Sequence, residues 1–503
     1  MPKGQMKVVN YLENENNVNE ETEKEASDKD SSFIRIKKFH FVMLIFFTVI
    51  LAAGITTVAL AFGEEPAVTV GTDRSEFSKL YSAYDTIKDK YYQDVETEDL
   101  VNGAIDGMFT ALDDPYSDYM NQEEATSFNE SISSSFEGIG AEIQEKDDSI
   151  IVVSPIKGSP AEKAGIKPND KILSVDDKTL QGMSSSEAVL LIRGKKGTTV
   201  SLEIERPGVE DTLKIDIVRD TIPIDTVYGE LRKDGIAEIQ ITSFSADTAQ
   251  ELTDKLNEFK EKGMKGIVLD LRQNPGGLLT QVQAIANLFV PDGKVIFQVE
   301  HKNGKIEQVA SDNENSNTLP LVVLIDEGSA SASEILAGAV NQSADVPLVG
   351  VKSFGKGTVQ SAIELSDGSN IKFTTDKWLT PNGSWIHEKG IEPTYKVELP
   401  SYAKLTVINP ETKLKLDSNS NEVKSAQEML KALGYKVDNA NGYFDESTEE
   451  ATKEFQEKEK LKVDGVITGD TTTKLMEKLS EKIQKNDTQM NKAIEILQEK
   501  LKK

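Results

Sequence analysis

No cysteine occurs among the 503 residues. That excludes disulfide staples, thiolate zinc sites and cysteine nucleophiles, and leaves the redox compartment open. Histidine is nearly as scarce, with only three in the chain, His40, His301 and His387. Neither an H-E-x-x-H string nor a G-x-S-x-G elbow is present, so the zinc-peptidase and α/β-hydrolase signatures are both missing, and no metal or cofactor is expected. Basic charge is in deficit, with 57 Lys+Arg against 85 Asp+Glu and a formal net charge of -28. Such a chain repels polyanions, and nucleic acid is not an expected partner. The length exceeds what one core organises, so about three or four domains are expected.

The chain does contain one long apolar run, residues 39–62, uncharged and of the length a helix needs to cross a bilayer. Arg35, Lys37 and Lys38 precede it, and Glu64 and Glu65 follow it. The positive-inside rule then keeps the N-terminus cytoplasmic and exports the remainder. The expected location is the bacterial cell membrane, single-pass, with the catalytic portion on the extracytoplasmic side. A cleaved signal peptide is the competing reading, with Ala59 and Ala61 as an A-x-A site, although the run exceeds the usual apolar length.

Around that span the texture changes several times. Residues 1–38 read as a disordered cytoplasmic tail, rich in Asn, Glu, Lys and Ser and without apolar periodicity. Residues 75–130 carry helical spacing, with Phe77, Leu80, Tyr81, Tyr84 and Ile87 near one face. Residues 131–219 alternate in short strands broken by Gly, Pro and Asp turns, around one helical stretch at 185–192. From 220 to 400 strands and helices alternate, the pattern of an α/β domain. Residues 416–480 form a small helical unit with an internal echo, because Gly442 to Thr448 and Gly465 to Thr471 share the pattern G-x-x-x-x-x-T. Residues 481–503 make a charged amphipathic helix with Ile494, Leu497 and Leu501 on one side. The expected fold class is multidomain α/β with one transmembrane helix, and the two terminal helical regions suggest a homodimer.

Chemistry is most legible in LVVLIDEGSASASEILAGAV, where small and hydroxyl residues separate a buried strand from a helix. Open α/β sheets place active sites at such strand ends. Ser329, Ser331 and Ser333 compete, and Ser331 with Glu334 also matches a helix capping box, a purely structural role. A nucleophilic serine needs a base. His301 and His387 are the exported histidines, and a lysine can serve if burial lowers its pKa. Lys356 in SFGKGTVQ stands between two glycines directly after an apolar strand, although an ordinary turn lysine would look the same.

Four strings, GSASASEILAGAV, SFGKGTVQ, DLRQNPGG at 270–277 and WLTPNGSWIHEKGIEPT at 378–394, resemble the C-terminal processing peptidases, also called tail-specific proteases. The resemblance covers about residues 75–400. It implies a serine endopeptidase acting on proteins or peptides, with Ser331 as nucleophile, Lys356 as general base and Gln360 orienting the lysine amine. The amide of Ala332 is a natural oxyanion donor. A second donor comes from Gly276 or Gly277, with Gly277 favoured by the resemblance. The β-rich module resembles a PDZ domain, with Gly138, Ile139 and Gly140 in the loop that would hold a peptide carboxylate and Arg193 as the residue relaying occupancy. A surface arginine closing a helix is the alternative for Arg193. The 416–480 unit resembles a peptidoglycan-binding domain, whose apolar positions, Ala426, Leu430, Leu433, Phe444 and Phe455 among them, are assigned to its core rather than to a ligand.

Overall fold

The computed structural model describes residues 75–146, 148–313 and 319–502. The chain divides into two units, Met1–Asp94 and Val95–Lys503. In the first, the helix Ser78–Lys90 buries none of its residues, and Leu80, Tyr81 and Ile87 of its expected stripe are exposed.

The second unit opens with the helix Thr97–Thr110, the strand Asp118–Met120 and the helix Gln122–Ile132. Asn121 caps the last of these, accepting from Glu123 and Glu124, while Glu124 accepts from the Asn121 N–H in return. The β-rich module follows, its strands 141–146, 149–155, 171–175, 199–205 and 213–218 paired in that order. Alternate residues Val200, Leu202 and Ile204 fill its core with Ile150, Val152 and Ile172. The helix Ser185–Ile192 spans the range its composition indicated, and Ser184 caps it.

The α/β domain is built on six strands, 227–231, 236–241, 266–270, 321–325, 348–350 and 395–396, the first pair antiparallel and the rest parallel. Gly266–Asp270 and Leu321–Ile325 are buried along their whole length, as parallel strands covered on both faces must be. Ile267, Leu269, Val323 and Ile325 meet the helices Thr248–Glu261, Leu279–Phe289 and Ala332–Ala344. The intervening Val268, Val322 and Leu324 point to the opposite face, where Ala493, Ile494, Ile496 and Leu497 of the helix Thr488–Leu501 cover them. Ile494 and Leu497 of the expected C-terminal stripe are therefore covered within the chain, whereas Leu501 is exposed. A second sheet holds the strands 118–120, 370–379, 295–300 and 306–310, with 358–364 joined to 370–379.

The helices Asn421–Leu433, Glu446–Lys458 and Asp470–Lys485 form the last small unit. Its sequence echo is a structural one. Gln427 and Gln456 are buried at equivalent places. Each accepts the N–H of a turn glycine, Gly442 or Gly465, and donates to a threonine, Thr448 or Thr471.

The transmembrane helix expected at 39–62 and the tail at 1–38 lie outside the described residues. Among the described residues no helix is long and apolar enough to cross a membrane. The helix Asp470–Lys485 has 16 residues, about 24 Å at the α-helical rise against a hydrocarbon core of about 30 Å. The expected fold class is corrected accordingly to multidomain α/β with no membrane-crossing helix among the described residues. The single-pass membrane location, which rested on that helix alone, is withdrawn with it.

Candidate active site

Two loops meet at the C-terminal ends of the paired strands Gly266–Asp270 and Leu321–Ile325: N-P-G-G after the first, S-A-S-A-S after the second. Asp326 ties them together by accepting the N–H groups of Gln273 at 2.9 Å and Gly328 at 3.0 Å. Ser331 begins the helix Ala332–Ala344 with φ 53° and ψ -112°. An L-residue holds such a conformation only where its surroundings impose it, at a cost of roughly 1–3 kcal/mol.

The three serines separate by what their hydroxyls do. Ser329 Oγ donates to the Leu271 carbonyl at 2.8 Å and Ser333 Oγ to the Asn274 carbonyl at 2.9 Å, and both residues are buried. Ser331 instead lines an open cavity of about 410 Å³. Ser331 and Glu334 form the capping box that the spacing predicts: the Glu334 N–H donates to the Ser331 carbonyl at 2.9 Å, and the Glu334 carboxylate accepts the Ser331 N–H at 2.9 Å. The structural role that the sequence allows is therefore realised, and the Ser331 side chain lines the cavity as well.

Lys356 lines the same cavity, half-buried. Burial, and then the like charge of Lys372, push its ammonium below the usual lysine range, while Asp114 and Glu334 pull the other way. Its loop is pinned by two indole N–H groups, Trp378 to the Lys356 carbonyl and Trp385 to the Gly357 carbonyl, both at 2.8 Å. The residue that sequence reasoning underread is Glu334. Its fully buried carboxylate accepts from Ser331 N–H at 2.9 Å, Ser353 Oγ at 2.6 Å, Gly355 N–H at 2.7 Å and Lys356 N–H at 2.8 Å. One carboxylate therefore ties the serine loop to the lysine loop. The only sequence signal for it was the S-x-x-E spacing.

Ala332 and Gly277 both line this space. Neither the Ala332 nor the Gly277 N–H has an acceptor among the described residues, whereas the Gly276 N–H donates to Asn274 Oδ1 at 2.9 Å. The glycines are required by space as well as by φ. A Cβ at Gly277 would stand 2.2 Å from the Phe244 carbonyl oxygen, and one at Gly276 would stand 2.9 Å from Ser331 Cβ. Gln360 also lines the cavity, but its amide donates to Thr358 Oγ1 at 2.9 Å and Thr374 Oγ1 at 3.3 Å. No hydrogen bond joins it to Lys356, nor Lys356 to Ser331, among the described residues. His301 pairs with Asp376 at 2.8 Å, and His387 Nδ1 accepts from Gly357 N–H at 3.3 Å. Neither histidine lines the cavity.

In the β-rich module the backbone N–H of Ala161 donates to the Ile139 carbonyl, while the Ile139 side chain is spent in the core. A Cβ at Gly138 would touch both the Phe136 ring and Arg193. Arg193 is not a free surface cation. Its guanidinium lies 4.8 Å above the Phe136 ring and forms an ion pair with Glu130 on the helix Gln122–Ile132, whose Phe128 and Ile132 reach the cavity.

Residues 235–397 match the model of peptidase family S41, 138–217 that of the PDZ domain, 419–475 that of a peptidoglycan binding domain, and 59–124 that of the activating protease CtpB N-terminal domain. The chain is 52% identical over 468 residues to the carboxy-terminal processing protease CtpA of Bacillus subtilis (strain 168), covering 92% of this chain and 99% of that one. The chain belongs to the carboxy-terminal processing proteases. CtpB of the same organism is 43% identical over 424 residues, covering 83% and 88%. Among solved structures, the photosystem II D1 C-terminal processing protease covers 65% of this chain and 88% of its own at 28% identity and TM-score 0.39. The protein is thus a serine peptidase of this family with protein substrates, and it carries PDZ and peptidoglycan-binding modules.

Proposed function

We propose that this protease cuts by a Ser-Lys acyl-enzyme mechanism. Lys356, uncharged, removes the proton of Ser331. Ser331 attacks the peptide carbonyl, and the oxyanion is received by the Ala332 and Gly277 N–H groups. The leaving amine takes the proton from Lys356, and water releases the acyl group by the reverse use of the same lysine. Gln360 orients the amine once its amide leaves the two threonines. The reading is carried by one observation: among the three serines of the loop, the strained one shares its cavity with a half-buried lysine and two unpartnered backbone donors.

A peptide terminus held at Gly138, Ile139 and Gly140 gates the site through Arg193, which sits against that loop and bridges to Glu130. The peptidoglycan-binding module tethers the enzyme to wall polymer. Purified protein incubated with casein tests the chemistry. Ser331→Ala and Lys356→Ala are each expected to abolish cutting with folding retained by circular dichroism. The wild-type rate should rise with pH through a limb lying below the ordinary lysine pKa of about 10.4, because activity follows the neutral amine. Full activity in Lys356→Ala would defeat the mechanism.

A further inference from the structure

Ser331 and Lys356 line the same cavity with no hydrogen bond between them, and the lysine rests against a third side chain. Lys356 Nζ lies 4.7 Å from the centroid of the Tyr116 ring. Tyr116 also lines the cavity, and its ring meets His387 edge-on at 6.0 Å. A ring face attracts a cation and has nothing comparable to offer a neutral amine. The contact thus favours the protonation state that cannot act as a base.

The turn bearing Tyr116 is firmly placed. Asp114 accepts from the Tyr116 N–H at 3.1 Å and from Ser117 Oγ at 2.6 Å, and Ser117 Oγ accepts from the Thr374 N–H at 3.0 Å. The same stretch continues through the strand Asp118–Met120 into the helix Gln122–Ile132, which ends at the Glu130–Arg193 pair. Only Ala125 of that helix is buried. One short segment therefore touches the lysine at one end and the PDZ arginine at the other.

We propose that Tyr116 is a positioning residue that holds Lys356 away from Ser331 in the resting enzyme, and that displacing its ring hands the lysine to the serine. This rests on the Ser-Lys reading above. It deepens that reading by naming the contact that must break before the dyad can form. The remaining charged groups facing Lys356 are Lys372 on the adjacent strand, Asp114 on the turn and Glu334 at the helix start. None of them is altered by substitution at Tyr116.

The test is the casein kcat and its pH profile for Tyr116→Leu, Tyr116→Gln and Tyr116→Phe in the full chain, each checked by circular dichroism. Loss of the ring is expected to raise basal kcat about threefold or more and to move the rising limb to lower pH. Tyr116→Phe keeps a ring face and should follow wild type. The Gln variant carries the test if the Leu variant fails to fold. A folded ring-less variant with kcat at or below wild type and an unmoved limb overturns the proposal, and so does a Phe variant that behaves like Leu. The double variant Tyr116→Leu/Lys356→Met separates the two levels. It should be inactive, and activity there would bring down the Ser-Lys reading itself.

Discussion

At Ser331 the backbone occupies a region that glycine enters freely and other residues only under constraint. The two simplest substitutions therefore part company. Ser331→Ala removes the hydroxyl and keeps the strain, whereas Ser331→Gly removes both. Both variants are expected to be inactive, with the glycine variant more stable by about 1 kcal/mol after its larger unfolded-state entropy is counted. Urea denaturation of the pair measures the difference, and identical midpoints would mean that no strain is held there. The serine loop was legible as a motif because small residues between a strand and a helix are a local pattern. Which hydroxyls are spent on buried carbonyls was not legible. The acceptors that occupy Ser329 and Ser333, the carbonyls of Leu271 and Asn274, lie more than fifty residues earlier in the chain.

Among the elements, the helix Thr488–Leu501 departs most from its sequence reading. Its stripe was visible as a stripe, but periodicity states that a face is apolar and not what covers it. The cover is the peptidase sheet, and a polar clasp fixes the docking. Arg272 donates to Asp270 and to Asp487 at 2.7 Å and to Gln489 at 2.9 Å, and these two carboxylates hold its guanidinium above the usual arginine range even though burial works against it. Replacing Asp487 with Asn keeps the shape and removes one charge from this clasp. It should lower stability by about 1–2 kcal/mol, since a buried charged hydrogen bond is weakened while Asp270 still neutralises the cation. The thermal midpoint would read this. A midpoint equal to wild type would show that the clasp contributes nothing.

For the whole molecule, the peptidoglycan-binding unit is inserted between the last strand of the peptidase sheet and the helix that returns to cover that sheet. The peptidase match ends at 397, yet the domain is not complete there. A chain stopped at residue 404 keeps Ser331, Lys356 and Gln360 but bares Ile236, Val268, Val322, Leu324 and Val349 on one face. Contiguous apolar surface of that kind drives association. The shortened protein is expected to elute as aggregate in size-exclusion chromatography where the full chain does not. A monodisperse, active 404-residue form would show that the returning helix is dispensable.

Composition and motif narrowed the chemistry on offer: the chain has no cysteine and few histidines, which left a serine peptidase with a lysine base as the expectation, and the four strings pointed to the family that the comparisons show. Alternating strands and helices indicated the α/β domain, and G-x-x-x-x-x-T the duplicated turn, because each is a pattern of near neighbours. The tertiary structure alone decided that Glu334 joins the serine loop to the lysine loop, that Lys356 rests on Tyr116, and that the final helix closes the sheet. Those outcomes depend on contacts between residues tens to hundreds of positions apart, and no local periodicity encodes such distances.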